Sequence, residues 1–137
     1  MDNQERANDE LVTRFCREWD AAYLTTEAMA PYFTDDAVYH NVPLPPIEGG
    51  ASIAAMLGGG GAPDEERGSK NLGWVVHHQA ANGDVVLNER TDSFEVAGKR
   101  WDVPVCGVFV LRDGKIARWS DYFDMDHTWL PRPPRDG

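Results

Sequence analysis

From Leu72 onward the chain is cut at regular intervals by turn signals, and these limit most strongly what it can fold into. Asn82-Gly83-Asp84, Ala97-Gly98-Lys99 and Asp113-Gly114 each set a glycine between stretches rich in β-branched and aromatic residues. Asp-Gly in particular favours the two-residue turns whose twist suits a hairpin. The punctuation predicts sequential strands from Trp74 to Ala81, through Val96, from Arg100 to Leu111, and from Lys115 to Phe123. Strands joined by such short turns run antiparallel, as a meander.

The N-terminal half reads differently. Leu11, Phe15, Trp19 and Ala22 recur at helical spacing. They predict a helix from about Asn8 to Tyr23, with Asn8 or Asp9 as its cap. Thr25-Thr26-Glu27 opens a second, short helix that ends near Tyr32-Phe33, its regularity limited by Pro31. Ala37 to Val42 reads as a strand stopped by Pro43, Pro45 and Pro46. Gly50 to Leu57 reads as a brief helix closed by Gly58. Helices first and a meander afterwards is an α+β arrangement, whose sheet can curl around the helices and leave a pocket at its open end. The 137 residues, 42% of them hydrophobic, are expected to form one domain, 1–137, with 1–7 and 126–137 peripheral or flexible.

Composition removes several function classes. A formal net charge of −10 argues against nucleic-acid or anionic-membrane partners. No apolar run is long enough to span a bilayer. The polar start, Met1 to Arg6, predicts neither a signal nor a transit peptide, so a cytoplasmic location is expected. Cys16 and Cys106 are too few for a disulfide framework and are read as core fillers. His40, His77, His78 and His127 lack ligand spacing, so no metal site is expected. The Gly58 to Gly61 run is not a phosphate loop: no Gly-Lys-Ser/Thr follows, and Asp64, Glu65 and Glu66 would repel a phosphate. It reads as a flexible connection reaching Gly68.

The chemistry-bearing residues emerge from strand parity. Along the second strand, Val86, Asn88, Arg90, Asp92 and Phe94 share a face. An Arg and an Asp two apart between apolar neighbours are either a solvated ion pair or a costly charged pair in a dry cavity. In the last strand Trp119, Asp121 and Phe123 share a face, which sets a carboxylate between two aromatics. Desolvation there would raise its pKa and make it a better base, provided a cation holds it. Arg90 is the natural cation, because its forked donors can bridge two carboxylates. Tyr39 and Asn41 share a face of the first strand, and two such groups beside a carboxylate can hold one water. A structural ion-pair network and a core tyrosine remain the competing readings. Parity adds Val105 to Phe94, Trp119 and Phe123 as pocket wall, and leaves Val108, Val110 and Ile116 on the opposite face.

Three stretches now carry a resemblance. Tyr39 to Pro45 (YHNVPLP), Asn88 to Phe94 (NERTDSF) and Trp119 to Asp124 (WSDYFD), in this order, resemble the limonene-1,2-epoxide hydrolase family from about Leu11 to Asp124. The resemblance implies a nuclear-transport-factor-2-like cone, in which N-terminal helices and a curved mixed sheet enclose a deep pocket. It implies one-step, cofactor-free hydrolysis of small cyclic or terpenoid-type epoxides to vicinal diols, usually by a homodimer. It implies Asp92 as acid, Asp121 as base, Arg90 as the bridge between them, and Tyr39 and Asn41 as holders of the water. The short, Pro-rich end after Asp124 departs from the longer tail of many members. A covalent route would need a carboxylate nucleophile on a strand-to-helix elbow with a His–acid pair, and no such elbow is evident. The alternatives are a ketosteroid-isomerase-like or polyketide-cyclase-like enzyme, or a binding module without catalysis, and fold analogy alone does not separate them.

Overall fold

The computed structural model describes residues 2–20, 24–58 and 68–132. The expected linker from Gly59 to Arg67, residues 21–23 and residues 133–137 lie outside them, and the helix expected to reach Tyr23 already ends at Glu18 with Trp19 as its C-cap. Helix α1 spans Asn3–Glu18, and the short α2 spans Thr26–Met29 and continues as a 3₁₀ turn, Ala30–Tyr32. Strands β1 (Phe33–Val42) and β2 (Ile47–Glu48) precede helix α3 (Gly50–Leu57). The meander follows as β3 (Lys70–Asn82), β4 (Val85–Val96), β5 (Lys99–Arg112) and β6 (Lys115–Phe123). A 3₁₀ turn, Met125–His127, comes last.

The strands make one curved, mixed sheet in the order β2-β1-β6-β5-β4-β3. The meander pairs are antiparallel, as the turn signals require. β1 lies parallel to β6, with Tyr39 beside Trp119 and Asn41 beside Asp121. This pairing joins the two halves of the chain and sets two of the predicted site residues next to two others.

The core grows from α1. Leu11, Val12, Phe15, Cys16 and Trp19 are buried against the concave side of the sheet. Phe15 meets the rings of Trp74, Phe109 and Trp119 edge-on, with centroids 6.3, 6.1 and 5.0 Å away. Truncating such a ring to alanine costs about 3–5 kcal/mol. Trp119, fully buried, stacks between Tyr39 at 4.0 Å and Phe109 at 5.5 Å.

Four expectations need correction. Helix α1 starts at Asn3, capped by Asp2, whose side chain accepts from the Glu5 N–H at 2.8 Å. Its first turn is polar, so apolar periodicity could not reveal it. Asn8, expected as the cap, is instead buried inside the helix and donates to the Gly83 carbonyl at 3.3 Å. Ile116 is fully buried in the core, not on the outer face. The register shifts between Val110, opposite Arg118, and Leu111, opposite Ile116; this bulge exchanges the faces at the strand's start. The stretch after Asp124 is not merely peripheral, since Thr128, Trp129 and Leu130 return to the cavity. There Trp129 meets Phe94 edge-on at 5.1 Å.

Candidate active site

β4 and β6 are separated by one strand, β5, and a guanidinium can cross only if that strand makes room. Asn88 and Asp121 both lie opposite Gly107 of β5. A Cβ at Gly107 would stand 2.4 Å from Arg90 Nη1 and 3.0 Å from both Asn88 Oδ1 and Asp121 Oδ1. Only glycine leaves Arg90 its place. Reading side chains by strand parity does not reveal this requirement, because the signal is an absent side chain.

Through that gap Arg90 holds both carboxylates. Its Nε donates to Asp92 Oδ1 at 2.8 Å, and its Nη2 donates to Asp92 Oδ2 at 3.0 Å and to Asp121 Oδ2 at 2.6 Å. Nη1 donates to Asn88 Oδ1 at 3.1 Å. The guanidinium carbon lies 4.3 Å from the centre of the Trp74 ring, a cation–π contact. Trp74 is stacked in turn on Trp19, with centroids 4.2 Å apart. Asp121 receives a second donor at its other oxygen, Trp119 Nε1 at 2.7 Å.

Asp92 and Asp121 line a cavity of about 430 Å³ together with Tyr39 and Asn41. Tyr39 donates its hydroxyl to Asn41 Oδ1 at 2.7 Å. Phe94, Val105 and Phe123 form wall, as parity predicts, and Val103, Leu57, Met56 and the tail's Trp129 extend it. Trp119 departs from its expected place: it lies behind the wall, where it supports Asp121 and Tyr39. Arg90 is 1% exposed and does not line the cavity; the carboxylates stand between it and any ligand.

The electrostatics follow from dryness. Burial pushes the Asp92 carboxyl up to about 6, against the opposing pull of Arg90. Burial also raises Asp121, with Arg90 and Trp119 pulling the other way. Burial disfavours the Arg90 charge, but Asp121 and Asp92 outweigh it, so its pKa is raised. One guanidinium compensates one carboxylate, and a second buried carboxylate beside it favours a proton. The two carboxylates are linked through one guanidinium, so they titrate as a coupled pair. Burial, reinforced by Asp121, holds the Tyr39 phenol well above its ordinary value, so it stays neutral. Burial pushes Cys16 up to about 12, which suits a core filler, whereas Cys106 is exposed. Among the described residues no group of three or more His, Cys, Asp and Glu side chains is placed to hold a metal ion, and no helix is long and apolar enough to cross a membrane.

Comparisons with known proteins give the family and the fold. The model of the limonene-1,2-epoxide hydrolase catalytic domain matches residues 11–131. Epoxide hydrolase EphG of Mycobacterium tuberculosis is 38% identical over 91 residues, which span 66% of this chain and 57% of that protein. The solved structure of an M. tuberculosis LEH-like epoxide hydrolase aligns with a TM-score of 0.74 at 29% identity, covering 90% of this chain and 86% of that one. A putative isomerase from Bacillus subtilis, with a TM-score of 0.71 at 20% identity over 92% of each chain, shares the fold alone. The family match runs from the middle of α1 into the tail and takes in every strand of the sheet. The chain belongs to the limonene-1,2-epoxide hydrolase family.

Proposed function

We propose that this protein adds water to small cyclic or terpenoid-type epoxides in one step, giving vicinal diols without a cofactor. The observation that carries the reading is one guanidinium hydrogen-bonded to two buried carboxylates, Asp92 and Asp121, both of which line an otherwise largely apolar cavity. An epoxide is strained but has a poor leaving group, so ring opening at neutral pH needs a proton on oxygen as the C–O bond breaks. It also needs a water deprotonated on the far side. Asp121 takes the water proton while that oxygen bonds to carbon. Protonated Asp92 delivers its proton to the epoxide oxygen as the ring opens. Tyr39 and Asn41 hold the water; with Asn41 Oδ1 occupied by the Tyr39 hydroxyl, Asn41 offers its amide N–H. Each positioned acid or base supplies about 10²–10⁴-fold, and fixing the water supplies more. After one turnover Asp121 carries a proton and Asp92 lacks one; proton exchange through solvent or along Arg90 resets the pair.

An isomerase reading asks for one Asp base and neutral donors, and it leaves the bridging guanidinium without a role. A binding module leaves the whole charged cluster without one. The test is a panel of cyclic epoxides in heavy-oxygen water. One heavy oxygen per diol, formed well above background, is expected. No diol from any epoxide in the panel would overturn the reading.

We also propose a cytoplasmic homodimer built on the outer face of the sheet. Leu87 and Tyr122 are 46% and 47% exposed there, in rows with Val108 and Cys106. Large apolar side chains left half-exposed on neighbouring rows of a sheet face suit burial against a second copy. Light scattering at micromolar concentration should give twice the chain mass, and a monomer alone would contradict the proposal.

A further inference from the structure

We propose that Asn88 and Gln79 are positioning residues for Arg90, forming a chain of amides whose polarity is set on helix α1 and ends on the guanidinium. The inference rests on the hydrolytic reading only for its kinetic readout.

The chain has a direction. Gln79 Nε2 donates to three acceptors on α1: the Asp9 carbonyl at 3.1 Å, Asp9 Oδ1 at 2.8 Å and Thr13 Oγ1 at 3.0 Å. Its nitrogen end is therefore fixed, and Oε1 must face the other way. There Oε1 accepts from Asn88 Nδ2 at 3.2 Å, and the same Nδ2 reaches Cys16 Sγ at 3.5 Å. With its nitrogen so engaged, Asn88 turns Oδ1 towards Arg90 Nη1 at 3.1 Å. A flipped Asn88 would aim an amide N–H at a guanidinium N–H, two donors with no acceptor between them. Asn88 is 2% exposed, so water cannot easily repair such a mismatch.

This chain holds the corner of Arg90 that the carboxylates leave. Nε and Nη2 are taken by Asp92 and Asp121. Without an acceptor at Nη1 the guanidinium can rotate in its own plane over the Trp74 face, and the fork then no longer meets both carboxylates squarely. Neither Asn88 nor Gln79 lines the cavity, so neither touches substrate. Gln79 acts at two removes, through Asn88 and then Arg90.

The experiment pairs kinetics with nitrogen NMR of the Arg90 side chain in the full protein. Gln79→Met keeps the length but loses both the acceptor and the donor; Asn88→Ala removes the acceptor at Arg90. The expected kcat losses are about 10-fold for the first and about 100-fold for the second, with KM within about two-fold. In the wild type, separate slowly exchanging Nη1 and Nη2 proton signals are expected, and in both variants the Nη1 signal broadens. If Asn88→Ala does not fold, Gln79→Met carries the test alone. Wild-type kcat, a change confined to KM, or a kcat loss with an unaltered Arg90 spectrum would each overturn the proposal. Failure of the wild type to hydrolyse any epoxide would overturn the hydrolytic reading instead, and the spectrum would still decide whether the amides hold Arg90.

Discussion

Neighbouring strands of this sheet carry the same Arg-x-Asp pattern in opposite surroundings. On β4 Arg90 Nε meets Asp92 Oδ1 at 2.8 Å, with side-chain exposures of 0% and 6%. On β5 Arg100 Nε meets Asp102 Oδ1 at 2.9 Å, with exposures of 62% and 53%. The pairs share the Nε–Oδ1 contact, to which Arg90 adds Nη2 to Asp92 Oδ2 at 3.0 Å, and they differ most in water. Asp92 lies opposite Val103, whereas Asp102 lies opposite Ser93. Burial pushes Asp92 up to about 6, while the Ser93 hydroxyl and Arg100 hold Asp102 below the usual carboxylate range. The motif alone is therefore not the chemistry. On β4 a dry face, a second carboxylate and a glycine gap surround the pair, and on β5, among the described residues, none of the three does.

The comparison breaks most visibly at the buried end. Asp121→Asn, Asp92→Asn and Arg90→Lys are each expected to lower kcat for diol formation on the order of 10³-fold, with the fold retained by circular dichroism. The first removes the base and the second the titrating acid. The third leaves an ammonium that cannot span both carboxylates in the fork geometry. Near-wild-type activity in Asp121→Asn would sink the site assignment.

Gly107→Ala comes next. Its Cβ would press on Arg90 Nη1 and on both Asn88 and Asp121, across a sheet that cannot easily widen. We expect a kcat loss of roughly 10–100-fold and a destabilisation of about 1–3 kcal/mol. An unaffected variant would mean that the guanidinium does not need the gap.

The pH response sharpens the contrast further. Asp92 is raised in the folded protein, to about 6, above the roughly 3.9 of an unfolded chain. Between those values the native state holds more protons than the unfolded one, so this group's stabilising contribution is lost as pH rises through about 6. Asp92→Asn removes that loss. Its melting temperature should match or exceed the wild type's at pH 8, with a smaller gain at pH 4. In the proposed mechanism the same protonated form is the acid, so wild-type kcat/KM should fall as pH rises above the upper step of the coupled pair. Activity that only rises from pH 5 to pH 9 would contradict the assignment of Asp92.

The smallest effect is expected at the exposed twin. Arg100→Gln and Asp102→Asn should leave kcat and KM within about two-fold and the melting temperature nearly unchanged, because exposed ion pairs contribute little. A large kinetic loss there would erase the distinction between the strands.

Parity along β4 puts Arg90 and Asp92 on one face, and parity along β6 puts Asp121 with Trp119 and Phe123, because a strand repeats every two residues and glycine turns mark its ends; that the two faces coincide comes from the pairing through β5. The Tyr39–Asn41 pair was legible for the same reason. What parity could not carry is register. The bulge near Leu111 that turns Ile116 inward, and the parallel seating of β1 on β6, arise from tertiary pairing. Gly107 and Gln79 escaped because their parts are played across strands, one by lacking a side chain and the other through two intermediaries. The start of α1 escaped because its first turn is capped and polar rather than amphipathic. The tail is not legible because its hold rests on Trp129 against the rings of Phe94 and Trp101, in a segment whose prolines suggest only irregular chain.

The central claim is that the dry, arginine-bridged pair directs water straight onto the epoxide. A single turnover in heavy-oxygen water, with enzyme in excess over a cyclic epoxide, tests it most directly. The account predicts one heavy oxygen in the diol from the first turnover and none in Asp92 or Asp121 when the protein is digested and weighed. First-turnover diol carrying only ordinary oxygen, with the label appearing in a carboxylate, would contradict it and point to an ester formed on the protein.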